Sequence, residues 1–218
     1  MTRQPFADLS IGAFVERVAS SEPVPGGGSV SAIAASFAAG LVAMVAGLSQ
    51  GRPKYAAYEA THARALEAGR RAAARFLALA DEDAEAYAAF SAALKLPRET
   101  AEEQATRHEA MRAAARRAAE TPLEVLRACD DLAAEVQAMA GRSNLNASSD
   151  INVASLLVEA AARGAAANVV VNLPSVDDER YAGRVTDEVM ALLRSIEDRA
   201  AVAREHAGSG HLRPPEDA

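Results

Sequence analysis

The sequence predicts an all-α fold: a multihelical bundle of long helices forming one domain over residues 1–207, followed by a disordered tail over 208–218. Three observations point there. Half of the 218 residues are apolar, yet only 4% are aromatic and none is Trp. The apolar mass is chiefly Ala, with Leu and Val. Ala has the highest intrinsic helix propensity and a side chain too small to hold helices apart, so the helices should pack closely. No alternating strand pattern extends beyond a few residues, whereas apolar spacings of three and four run through most of the chain.

The elements follow in order. Ile11 to Ala19 is a short amphipathic helix with Phe14, Val15 and Val18 on one side, ended by the Pro- and Gly-rich loop from Ser20 to Gly28. A charge-free helix follows and stops near Gly51 and Pro53. A long helix runs from about Lys54 to Leu94, and Pro97 breaks it. Thr100 and Glu103 have capping-box spacing for a helix that reaches about Ala140, with Pro122 kinking or splitting it. Asp150 is a candidate cap for a helix to about Val171, which Pro174 ends, and a last amphipathic helix spans about Asp178 to His206.

Composition also excludes. A net charge of −7 lacks the basic footprint of nonspecific nucleic-acid binding. One cysteine, Cys129, permits no internal disulfide and reads as packing. Met1 to Ser10 lacks a basic-then-apolar leader, so a cytoplasmic location is expected. Val30 to Leu48 carries no charge and would span roughly 28 Å as a helix, enough to test against a membrane. Its large side chains, Val30, Ile33, Phe37, Leu41, Met44 and Leu48, recur on one face with Ala and Ser elsewhere, and no second such span follows. That pattern reads as a helix surrounded by other helices rather than by lipid.

Within the long helix one residue stands out. The seam Leu66, Gly69, Ala73, Phe76, Ala80, Asp83, Tyr87, Phe90, Leu94 is apolar, small or aromatic except at Asp83. Asp81, Glu82 and Glu85 fall off it and read as a solvated face. A buried carboxylate needs a partner or a cavity; otherwise the helix turns slightly and leaves Asp83 at a rim. Upstream, Pro25-Gly26-Gly27-Gly28-Ser29 leads straight into a helix. It is either a plain turn or a place where an oxygen-rich ligand edge meets free N–H groups at a helix start. It is neither a Walker A loop nor a dinucleotide fingerprint.

Only two of the 23 basic residues are lysines, and Lys54 sits beside Tyr55 at the start of the long helix. A compact ammonium can be desolvated and can donate a proton, unlike a guanidinium; the alternative is ordinary helix-terminal charge, the reading favoured for Lys95. Ser143 to Asp150 gathers Asn144, Asn146, Ser149 and Asp150 before a helix, either as a capped turn or as hydrogen-bonding edges with one acid/base group. Asn168 and Asn172, four apart on an apolar stripe, need partners from the protein or a ligand.

Together these segments resemble the formimidoyltetrahydrofolate cyclodeaminase / methenyltetrahydrofolate cyclohydrolase family. Pro23-Val24-Pro25-Gly26-Gly27-Gly28-Ser29 is similar to its Pro-x-Pro-Gly-Gly-Gly-Ser signature. Met44-Val45-Ala46-Gly47-Leu48, Gly51-Arg52-Pro53-Lys54-Tyr55, Asp81 to Tyr87, Lys95-Leu96-Pro97, Asn144 to Asp150 and Asn168 to Leu173 follow in the family's order. The likeness covers about Phe6 to Ala200, with Gly47 and Ser143 standing where the family pattern has Asn and Gly. It implies a multihelical subunit intertwined with a second copy as a homodimer. It also implies a tetrahydrofolate substrate, with or without a polyglutamyl tail, and no metal or redox cofactor. Transfer of the formimino group would fall to a separate protein.

On that resemblance Asp83 and Asp150 are the expected acid/base and cation-stabilising pair, with Lys54 a proton donor or tail anchor. Pro25, Gly26, Gly27, Gly28, Ser29, Asn144, Asn146, Ser149, Asn168 and Asn172 would orient the pterin, and Tyr55 or Tyr87 would stack. Two rivals are a non-catalytic helical dimerisation module and a family member that binds folate without turning it over. The module explains neither the glycine loop nor the seam aspartate.

Overall fold

The computed structural model describes residues 4–215 and contains no strand among them. Six helices carry the fold: α1 (Ile11–Val18), α2 (Gly27–Ser49), α3 (Glu59–Leu94), α4 (Ala101–Met139), α5 (Ser148–Asn172) and α6 (Glu179–Ser209). Side chains start several of them as elementary capping requires: Ser10 accepts from Ala13 N–H, Thr100 and Glu103 form a full capping box, and Asp178 accepts from Tyr181 N–H. Asp150 is not a cap. It lies inside the first turn of α5, where a negative charge suits the helix dipole. Similarly, Pro53–Tyr58 is a 3₁₀ turn before α3 rather than its first turns.

Helix α2 packs against α3 on one side and α5 on the other, while α4 packs against α3, α5 and α6. Its small face is the buried one: Ala32, Ala35, Ala38, Ala39, Val42, Val45 and Ala46 are fully enclosed. A Cβ added at Gly69 of α3 would lie 2.8 Å from the Ala39 carbonyl oxygen, and one at Gly164 of α5 would lie 2.2 Å from Ser31 Oγ. Neighbours this close leave no room for large side chains. Val30, Phe37, Met44 and Leu48 are therefore the exposed face of α2, opposite to the surrounded stripe expected from sequence.

Two helical stretches, not one, are long and apolar enough to cross a membrane: α2, and Leu145–Val176 around α5. About half of each apolar window is buried inside the bundle, 56% and 44%.

Pro122 neither kinks α4 apart nor ends it, since α4 runs unbroken from Ala101 to Met139. Proline has no N–H, so the carbonyl four residues earlier, at Ala118, loses its helical donor. Asn172 Nδ2 of α5 supplies the replacement at 3.0 Å. The expected disordered tail is also revised. Up to Pro215 the chain folds back onto α4: Arg213 N–H donates to the Gly141 carbonyl at 2.8 Å, and Tyr58 Oη donates to the Arg213 carbonyl at 2.7 Å. The Arg213 guanidinium bonds the carbonyls of Gln137 and Ala140, which the helix end leaves without partners. Glu216 to Ala218 lie outside the described residues.

Candidate functional site

The first turn of a helix has N–H groups with no intrahelical acceptor. At the start of α2 the capping residue is Gly26, which has no side chain to offer. Asp83 reaches across from α3 instead. Its Oδ2 accepts from Ser29 Oγ at 2.9 Å, and the Ser29 backbone N–H also donates to the carboxylate. The anion expected at this helix start is thus a side chain of the same protein. That close approach explains one glycine of the three: a Cβ at Gly28 would stand 2.2 Å from Asp83 Oδ1 and 2.6 Å from its Cγ. Burial pushes the Asp83 carboxyl above the usual carboxylate range, and the Ser29 donors pull it part of the way back.

Asp83 borders a cleft of about 260 Å³ whose rim brings in Gly26, Gly27, Tyr87, Phe90, Asn168 and Asn172. Both asparagines are oriented by their own helix. Asn168 Nδ2 donates to the Gly164 carbonyl at 2.8 Å, and Asn172 Nδ2 donates to the Asn168 carbonyl at 2.8 Å as well as to Ala118. With the amide N–H groups committed to backbone, each Oδ1 remains as an acceptor, and no donor among the described residues reaches either one. The cleft therefore presents a carboxyl group and two amide oxygens, and no basic side chain lines it. Such a wall suits a cation or a donor-rich ligand edge. A larger groove of about 450 Å³ between α3 and α4 is lined by Arg71, Arg75 and Glu135, but these pair with charged neighbours.

The residue order around this cleft agrees with a sequence comparison. The family model described as formiminotransferase-cyclodeaminase matches residues 10–191. The chain belongs to that family. It is 36% identical over 184 residues to methenyltetrahydrofolate cyclohydrolase of Methylorubrum extorquens, covering 84% of this chain and 88% of that protein. It is 33% identical over 199 residues to formimidoyltransferase-cyclodeaminase of Rattus norvegicus, covering 91% of this chain but 37% of the rat protein. The chain thus spans little more than a third of that two-activity relative. Among solved structures it superimposes on formiminotetrahydrofolate cyclodeaminase of Thermotoga maritima with a TM-score of 0.84, at 28% identity and covering 93% and 97% of the two chains.

In this formiminotransferase-cyclodeaminase family member the residues singled out from sequence fall into two groups. Gly26, Gly27, Gly28, Asp83, Tyr87, Asn168 and Asn172 meet at the cleft, with Pro25 buried in the loop behind it. Ser29 is fully buried behind Asp83 and does not face the cleft, so it touches the carboxylate rather than a ligand.

The other group, Lys54, Tyr55, Asn144, Asn146, Ser149 and Asp150, lies at the far end of α2. There Asn144 N–H donates to Ser49 Oγ at 2.8 Å. The 23 residues of α2 put that end roughly 30 Å from Gly28. Asp83 and Asp150 therefore do not meet within one chain. Tyr55 is no stacking platform: it is 4% exposed, and its Oη accepts from Leu145 N–H at 3.1 Å. Asn144 Oδ1 accepts from Asn146 N–H at 3.1 Å, so both hold the loop in shape. Lys54, Asn146 and Ser149 are exposed. Sequence reasoning missed Pro122 and Ala118, which secure Asn172; the only available sign was a proline inside a helical pattern.

Proposed function

We propose that this chain is a one-carbon folate enzyme acting on the N5–C–N10 bridge of tetrahydrofolate, as a cyclohydrolase, a cyclodeaminase or both. One observation carries the reading: in a member of this family, the cleft at the signature glycines sets two amide oxygens and no basic side chain around a partly buried carboxyl group. A cationic methenyl bridge is the complement of such a wall.

In cyclohydrolysis, water adds to the methenyl carbon and Asp83 takes the proton that the water gives up. The C–N5 bond then breaks, the carbon becomes the formyl group on N10, and N5 gains a proton. One proton is released overall. In cyclodeamination, N10 adds to the formimino carbon, and the amino group must be protonated before it leaves as ammonia. A carboxyl group held above the ordinary range supplies that proton and then faces the new cation as a carboxylate. The Asn168 and Asn172 oxygens accept from pterin N–H groups, and Tyr87 stacks on the ring. Acid–base groups of the chain suffice for every step, with no redox cofactor involved.

The second group of residues joins the same site through a second copy of the chain. Phe37 is 51% exposed and Met44 42%, on a face of α2 where Gly40 and Gly47 have nothing within 4 Å of an added Cβ. Antiparallel packing of α2 on its symmetry mate along this face sets the Leu48 end of one copy beside the Val30 end of the other. Lys54 and Asp150 of one subunit then face Asp83 of its mate, as proton donor or tail anchor and as second carboxylate.

Two measurements test this. Purified protein is expected to hydrolyse 5,10-methenyltetrahydrofolate, followed by absorbance, or to release ammonia from the 5-formimino substrate. If neither occurs and reduced folates do not raise the melting temperature, the helical-module reading replaces this one. For the shared site, Asp83→Asn and Asp150→Asn are each inactive alone, and random mixing of unfolded and refolded subunits restores about a quarter of the original turnover, because half the dimers then have one intact site of two. No recovery in mixed dimers that do form would place the whole site in one subunit.

A further inference from the structure

Ser29 has one hydroxyl hydrogen and two acceptors in reach: the Ala80 carbonyl oxygen at 3.0 Å and Asp83 Oδ2 at 2.9 Å. Ser29 and Ala80 are fully buried, while Asp83 opens onto the cleft on its other side. A single O–H cannot serve both acceptors, so the direction of this hydrogen is coupled to the charge on Asp83. When Asp83 is ionised, Ser29 donates to it, and Ala80 keeps its bond within the helix. When Asp83 carries a proton, that proton points at Ser29 Oγ, and Ser29 turns to donate to Ala80. Both arrangements leave every buried polar group partnered.

We infer that Ser29 is a positioning residue for the reaction: rotation of its buried hydroxyl between Asp83 and the Ala80 carbonyl lets the cleft-facing carboxyl exchange a proton without orphaning the hydroxyl behind it. The inference rests on the reading of Asp83 as the acid/base group. The surroundings leave this role to Ser29. Helix α2 brings only Gly28 and Ser29 to the carboxyl group, α4 brings Ala118, and α5 brings Asn168 and Asn172. Tyr87, on α3 itself, is the one other titratable side chain lining the cleft. The Ser29 backbone N–H also holds Asp83, so removing the hydroxyl alone leaves the carboxylate in place while stopping the switch.

The test is Ser29→Ala in the full chain, read two ways. Carbon-13 NMR of labelled aspartate follows Asp83 directly, assigned by its loss in Asp83→Asn. The ionised form loses a charge-assisted donor, so the titration midpoint is expected to rise by about one pH unit. The pH profile of kcat/KM should move its Asp83 limb upward by the same amount. Ser29→Thr keeps the hydroxyl and should retain the original midpoint; Ser29→Cys, a poor donor, should shift it as alanine does, and serves if the alanine variant does not fold. A midpoint that stays put in folded Ser29→Ala or Ser29→Cys, or that shifts equally in Ser29→Thr, overturns the inference. A shifted midpoint with an unmoved activity profile shows the hydroxyl coupled to the carboxyl but removes Asp83 as the acid/base group, and with it the role of Ser29 in the reaction.

Discussion

Asp83→Asn should lower turnover by roughly 10²–10⁴-fold, the usual contribution of a positioned acid–base group, while the helical circular dichroism is unchanged. Asparagine has the same shape, and its Oδ1 still accepts from Ser29, so the start of α2 stays covered. What it lacks is a proton that can leave and a charge that can face a cation. Its effect on stability has the opposite sign. Burial raises the Asp83 carboxyl, so the folded chain keeps that proton to a higher pH than the unfolded chain does. The resulting stability is complete below the ordinary carboxylate range and is lost as pH climbs through the raised native value. At neutral pH the native protein carries that cost, and the asparagine variant does not. Its melting temperature at neutral pH is therefore expected to equal or exceed that of the unaltered protein. A variant that melts lower and keeps its turnover would remove Asp83 from the chemistry.

Gly28→Ala is expected to be as severe in turnover and to lose stability as well. The new Cβ would fall 2.2 Å from Oδ1, 2.6 Å from Cγ and 2.7 Å from Oδ2, so the entire carboxyl group has to leave its place. Overpacking of this kind costs about 1–3 kcal/mol, which for a domain of this size lowers the melting temperature by roughly 2–4 °C per kcal/mol. Activity and thermal unfolding measured side by side separate this variant from Asp83→Asn, where only the first should fall. Removing the obstacle supplies a further check: adding Asp83→Ala to Gly28→Ala should recover the lost stability but no turnover. Unaltered turnover in Gly28→Ala would mean that the carboxyl can work from another position.

Much of the architecture was legible from local signals. The capping box at Thr100 and Glu103 forms as its spacing predicts, because a cap is satisfied by its own next few residues, whereas Asp150 falls inside the first turn of its helix. The resemblance assigned Asp83 and the triple glycine to one site without saying how the two lie against each other. Orientation was less legible. The stripe of Val30, Phe37, Met44 and Leu48 has the same period whether it faces a core or a second subunit, so periodicity could not tell outside from inside. The tail from Gly208 reads as polar and helix-poor, yet it docks because Gln137, Gly141 and Ala140 offer carbonyls that Arg213 can reach only once α4 has ended beside it.

The two groups of candidate residues show where that boundary falls. Residue type and spacing along the chain were enough to predict an all-helical fold and to single out a carboxyl group on an apolar seam, and the likeness of the motifs to those of a known family supplied the rest. They could not say that Asp83 closes the start of a different helix, that Ser29 faces that carboxyl and not a ligand, or that Asp150 ends up some 30 Å away, at the other end of α2. Those facts depend on how helices distant in sequence lie against one another. Their separation is set by the small residues between them, Gly28, Gly69 and Gly164, whose missing side chains are visible in the sequence but whose neighbours are not.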